Sequence, residues 1–208
     1  MSLQHSDVLR AIEQTPWDFS NQILYRLCRE FPLHIEQDVV LTKILMIGRI
    51  YAAAIERRRK KGNEKNDDFY IKAVGPRIVQ SDMDVWISEA KKVSPGTPAG
   101  WTTLLRVHLE VTKLFRRISK QNKRSLASKY RHFHVPSLFF ILDSRALAGM
   151  RSLSYIVGQA SHENRDGDDE YRKFTQKCLR LQVFCVETFG VELNPRQLDN
   201  LLLRQALS

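Results

Sequence analysis

Four side chains in one stretch have the types that acid–base chemistry needs. His132 and His134 flank Phe133, Asp143 lies nine residues beyond His134, and Arg145 follows two later. A histidine with a carboxylate can move a proton, and an arginine beside them can steady a developing negative charge. These four are the candidate catalytic residues, and the enzyme they would make is a small nuclease. Two histidines two apart leave a helix on different faces, so they share a metal only where the helix has unravelled before Pro136. No metal and no cofactor is expected. Asp143 also stands where a short helix would start, and capping is the commonest role for an aspartate there.

Other residues carry weaker signals. Arg49 is flanked at three and four residues by Leu45, Met46, Ala52 and Ala53. A guanidinium buried there must be paired or snorkel out, because an unpaired buried charge costs several kcal/mol or more. The functional alternative is an interior anion pocket. His108 falls on an apolar helix face and reads as a core histidine. Arg29 and His34 have the Arg-x4-His spacing of HEPN-type ribonucleases, but Pro32 breaks the helix that would carry the pair. The spacing is read as chance. No P-loop, Gly-x-Gly-x-x-Gly, His-Glu-x-x-His or Gly-x-Ser-x-Gly occurs.

A second kind of chemistry is electrostatic. Arg106, Lys113, Arg116, Arg117, Lys120, Lys123, Arg124, Lys129 and Arg131 stand against one acid, Glu110. Arg106, Lys113, Arg117 and Lys120 fall within about 40° of one line at 100° per residue. Trp101, Leu104, His108, Val111, Phe115 and Ile118 take the opposite side. This stripe is the expected nucleic-acid-binding surface, and Arg57, Arg58, Arg59, Lys60 and Lys61 form a secondary basic cluster. The net charge of +10 and pI near 9.7 agree with a polyanionic partner, DNA or RNA. A face that neutralises four to six phosphates would give a log–log salt slope of about −4 to −5.

The elements that must position these groups read as helices. One helix follows Asp18 or Ser20 and ends before Pro32; the longest, Glu36 to Arg59, is apolar almost all round at its centre and is expected to run through the core. A segment over 67–79 is interrupted at Gly75-Pro76, and Ser81 to Asp84 opens a helix through Val93. Residues 94–100 read as a loop that could subdivide the chain. The striped helix and a second one from about Lys123 to His134 follow, and Pro136 stops the latter. Ser137 to Leu142 is a short apolar crossing, and Asp143 begins a helix to Met150. Ser161 to Asp169 reads as an exposed acidic loop. A helix from Glu170 closes at Gly190, and Asn194-Pro195 starts the last one. The expectation is a single all-α domain over 1–208, with Cys28, Cys178 and Cys185 as buried thiols. No stretch is apolar enough to span a membrane, and the expected location is the cytoplasm.

The segments Ile47–Arg59 and Ser128–Pro136, the latter running on to Ile141-Leu142-Asp143-Ser144-Arg145-Ala146, resemble a family of uncharacterised bacterial helical proteins linked to mobile elements and phage defence. The resemblance implies a component of a multi-protein antiviral system, with protein partners, and transfers no catalytic residue. A looser likeness is to helix-hairpin-helix DNA glycosylases, where a lysine and then an aspartate at a helix start hold the site. Lys129 and Asp143 fall in that order, and a glycosylase-like toxin joins the nuclease as an enzymatic alternative. The sequence departs from that pattern between Gln121 and Ser128, which contain no glycine for the hairpin turn. The leading expectation is non-covalent nucleic-acid binding, and a protein adaptor for an acidic partner is a further alternative. Convergence of Arg49, His132, Asp143 and Arg145 on one cleft would favour chemistry.

Overall fold

The computed structural model describes residues 2–58, 65–160 and 167–207, and the regular elements among them are all helical. α1 (His5–Ile12) precedes α2 (Pro16–Glu30). The N-cap of α2 is Thr15, whose backbone N–H donates to Asp18 Oδ2 at 2.6 Å; Pro16 takes the first turn, so the cap expected at Asp18 or Ser20 lies earlier. α3 (Gln37–Ile50) stops well short of Arg59. Ala52 turns to φ 49°, and Ala53 N–H folds back onto Gly48 O at 2.7 Å. A Cβ on Gly48 would stand 3.0 Å from Ala54 Cα, so the missing side chain lets this return turn lie against α3. Arg57 and Arg58 therefore belong to a turn, not a helix end; Arg59, Lys60, Lys61 and the expected stop at Gly62 lie outside the described residues.

α4 (Asn66–Phe69), a π-helical turn (Tyr70–Val74) and α5 (Gly75–Val79) form one irregular helical stretch around Gly75-Pro76. α6 (Met83–Lys91) and α7 (Pro98–Ser119) pack on each other across a loop shorter than the expected 94–100, because Thr97 Oγ1 caps α7 through Gly100 N–H and Pro98 to Gly100 form its first turn. α8 (Arg124–His134) ends before Pro136, and α9 (Ser144–Ser152), α10 (Ser154–Val157), α11 (Asp169–Phe189) and α12 (Pro195–Gln205) complete the chain. Asn194 and Gln197 exchange capping hydrogen bonds of 2.9 Å at α12, and Gly190 closes α11 at φ 67°. Among the described helices none is long and apolar enough to cross a membrane.

The helices gather into two sets. α2, α3 and α8 pack together, α7 lies on α8, α6 on α7 and α5 on α3. In the second set α9 lies along α12, α12 on α1, and α11 on α9 and α10. Gly149 is what brings α9 and α12 together: a Cβ there would meet Leu202 O at 2.0 Å. The crossing from one set to the other is the apolar run before Asp143, with Leu138, Phe139, Phe140, Ile141 and Leu142 all buried.

Four histidines are built into this packing as neutral rings. His34 donates from Nδ1 to Asp84 at 2.6 Å and accepts from Tyr130 Oη at 2.8 Å. His132 donates to Phe139 O at 2.7 Å and accepts from Tyr25 Oη at 2.6 Å. His134 donates to Tyr130 O, and His108 sits stacked on Tyr171 between Asp168 and Arg131. Burial disfavours the imidazolium and pushes His34 and His132 down to about 4, His108 to about 3, and His134 well below its ordinary value. The unfolded chain takes up these protons near pH 6.5, before the folded one does. Their contribution is thus complete above pH 6.5 and is lost as pH falls toward about 4. Denaturant midpoints measured at pH 7.5 and 5 should differ by several kcal/mol in unfolding free energy, with the acidic sample weaker; equal midpoints would contradict the neutral-ring arrangement.

Candidate functional site

The crossing segment is pinned to α8 by consecutive contacts. Leu142 N–H donates to Ser128 Oγ at 3.0 Å, and the next residues on each side, Lys129 and Asp143, form an ion pair of 2.8 Å. Lys129 Nζ also donates to Ser125 Oγ at 2.8 Å and lies 5.5 Å from the centre of the Tyr51 ring. The lysine side chain is 1% exposed and the aspartate 24% exposed, so the carboxylate is the more accessible partner. Asp143 caps α9 as expected, accepting from the N–H groups of Arg145 and Ala146 at 3.0 Å each. Burial alone would raise this carboxyl, but the Lys129 ammonium and the two N–H donors outweigh it and hold it below its ordinary value.

The pair lies in a cleft of about 920 Å³, within the range of small-molecule sites. Its walls come from both sets of helices: the start of α2 with Trp17, the return turn from Tyr51 to Arg58, the entry to α8, the start of α9, and α12 with Arg196, Asp199 and Arg204. Lys123 fixes one wall, because its ammonium donates to Arg57 O and reaches Ala54 O at 3.5 Å. The lining holds the cations Arg57, Arg58, Lys123, Lys129, Arg145, Arg196 and Arg204 against two carboxyl groups, Asp143 and Asp199. Asp199 is 3% exposed and bonded through Oδ2 to Arg196 at 2.6 Å. Burial, and then the nearby Asp143 charge, push its carboxyl up to about 6 in spite of Arg196. One cleft thus holds two carboxyl groups with affinities for protons driven apart, a feature typical of acid–base sites.

The sequence-derived candidates separate in space. Asp143 and Arg145 line the cleft, whereas His132 and His134 are core residues with the partners given above. Arg49 does not line an interior pocket: it is 63% exposed and paired with Glu56 at 2.7 Å. The buried cation of that helix is Lys43, bonded to Leu33 O. Arg29 is exposed and His34 buried, so that spacing builds no site.

The basic stripe does not form one free surface. Lys123, Lys129 and Arg131 are buried, the last with its guanidinium over the rings of Phe139 and Tyr171 and an Nε bond to Ala127 O. Arg124 is paired with Asp168 at 2.6 Å and with Glu170, Arg106 with Glu89, and Lys113 with Glu110. Arg116 and Arg117 on α7 and Lys120 at its C-cap are exposed. Asp168, expected in an exposed acidic loop, is 6% exposed and holds His108 as well as Arg124; residues 161–166 of that loop lie outside the described residues. Sequence reading missed Asp199, Arg196 and Tyr51; Lys129 was named there, in the basic stripe and in the glycosylase likeness, but its burial was not.

Among the described residues no group of three or more His, Cys, Asp or Glu side chains is arranged to hold a metal ion. Comparison of the chain with protein-family models, with curated proteins and with solved structures returns no match, so the geometry of the cleft alone bears on function.

Proposed function

We propose that the chain binds nucleic acid and cleaves an N-glycosidic bond, releasing a base from a nucleotide held in the cleft. The observation that carries this reading is the Lys129–Asp143 pair in a nucleotide-sized, cation-rich cleft. Breaking the bond between C1′ and the base leaves positive charge on C1′ and the ring oxygen, and an ionised carboxylate beside it stabilises that charge. The base leaves with the bonding electrons and takes up a proton from solvent, while water bonds to C1′ and gives its proton to Asp143, which returns it to solvent. The greater accessibility of Asp143 makes it the group facing the sugar, with Lys129 as a positioning residue that keeps it ionised and aimed. Arg57, Arg58 and Arg145 suit phosphate contacts in the cleft, and Arg116, Arg117 and Lys120 are further exposed cations for a polyanion. Base removal from foreign nucleic acid would suit the antiviral bacterial system that the sequence resemblance implies. The nuclease alternative loses support because His132 and His134 are in the core.

The test incubates the protein with single- and double-stranded DNA and RNA and then treats the products with mild alkali, which breaks the chain at abasic positions. Free base and alkali-labile sites are expected from at least one polymer. Binding should weaken with salt at a log–log slope of about −4 on duplex DNA. Salt-dependent binding with no alkali-labile product would leave only the non-covalent role. Absence of binding to every polymer would overturn both and bring forward the acidic protein partner.

A further inference from the structure

The cleft holds one more unexplained group. Asp199 uses Oδ2 for Arg196, and its Oδ1 is buried with no hydrogen-bond partner among the described residues. A carboxylate oxygen left bare in the interior costs free energy unless something completes it. Its neighbour is in the same condition: Arg196 is bonded to Asp199 at 2.6 Å and lies 3.5 Å from Asp18, while its Nε has no partner among the described residues. Asp18 follows Trp17, an indole 68% exposed that borders the same cleft. An aromatic ring standing in solvent beside cations is a stacking platform for a planar base. Trp17, Arg196 and Asp199 thus line one cleft from an apolar plane to an unsatisfied acceptor, with Asp18 behind them linking Trp17 to Arg196.

We propose that this end of the cleft receives the base, stacked on Trp17, and that Asp199 Oδ1 selects bases with an amine at pyrimidine C4 or purine C6, namely cytosine or adenine, by accepting an N–H from that amine. The inference rests on reading the cleft as a nucleotide site and adds the class of base it takes. A keto group at the same position would set oxygen against oxygen, and Asp199 would stay unsatisfied. Sites built around a buried polar partner discriminate strongly because the wrong ligand leaves that partner unpaired. At pH 7.5 the Asp199 carboxyl, pushed up to about 6, is ionised and can only accept.

The experiment is equilibrium binding at pH 7.5, which needs no turnover. Single-stranded oligonucleotides carry one variable base on a 2′-fluoro sugar, whose electron withdrawal blocks glycosidic cleavage. The comparisons are matched pairs, cytosine against uracil and adenine against hypoxanthine, each differing by amine against keto. Wild-type protein should favour the amine member of each pair roughly tenfold, the equivalent of one charge-assisted hydrogen bond gained against one lost. Asp199→Asn, whose amide can turn either face to the base, should reduce the ratio to about twofold or less. Trp17→Ala should weaken all four oligonucleotides alike and leave the ratios standing. Equal wild-type affinities within each pair, no binding, or an unchanged preference in folded Asp199→Asn would each overturn the assignment. The wild-type ratios decide the question even if Asp199→Asn does not fold. An amine preference without base release from unmodified polymers would sink the proposed reaction alone; base release with no preference would sink this inference alone.

Discussion

Asp143→Asn should lower base release roughly 10³-fold while the protein still folds and binds nucleic acid. Asparagine caps a helix nearly as well as aspartate, so the bonds to the Arg145 and Ala146 N–H groups survive. What disappears is the charge facing the sugar and the counter-charge of an ammonium that is 1% exposed. Severing a buried pair costs about 3–5 kcal/mol; here Ser125 and the new amide oxygen still accept from Lys129, and a cost nearer 2 kcal/mol is expected. A mere cap would show Asp143→Asn with unaltered stability and unaltered activity. Lys129→Met separates positioning from chemistry. Without the ammonium the Asp143 carboxyl rises, so the acid limb of the pH–rate profile should move to higher pH. Reaction mixtures treated with borohydride should contain no covalent adduct; an adduct at Lys129 would make the amine the nucleophile in place of water.

Gly149→Ala should destabilise the fold by about 3 kcal/mol, although alanine is the better helix former. The added methyl group would stand 2.0 Å from Leu202 O and 2.9 Å from Leu202 Cα, backbone atoms of α12 with no flexible end to swing aside. The two helices must separate, and α9 carries Asp143 at its start while α12 carries Asp199. Denaturant unfolding measures the loss directly. A gain of about 1 kcal/mol, the propensity difference alone, would show that α9 and α12 do not touch there.

Much of the helical plan was legible because it rests on local chemistry. Pro136, Asp143, Gly190 and Asn194-Pro195 each act through their own backbone, and each begins or ends a helix where expected. The end of α3 was not legible, since nothing between Tyr51 and Ala54 resembles a stop; the turn is set by the contact of Ala54 with Gly48, a tertiary effect. The same limit governed the charges. Periodicity showed where Arg131 and Lys129 project from a helix, but not that α8 is enclosed on nearly every side. The compensating acids Asp143 and Asp168 are 14 and 44 residues away from Lys129 and Arg124. Asp143 was found as a cap because that role is local. Its pairing with Lys129, and the presence of Asp199 across the cleft, depend on how two sets of helices meet.

That meeting has a mechanical consequence. The amine belongs to the set containing α8, and both carboxyl groups belong to the set containing α9 and α12. The candidate site is therefore split across a seam, spanned by the Lys129–Asp143, Arg124–Asp168 and Arg196–Asp18 pairs and by the His108–Tyr171 stack. The apolar core is continuous across the two sets, but the polar contacts of the site lie between them, so a loosened seam parts the halves of the site first. Low denaturant or hydrostatic pressure that parts the seam should abolish the proposed base release before the fold melts. A strand laid across the cleft would do the reverse, acting as a splint that holds the two sets of helices in the one alignment the proposed reaction needs.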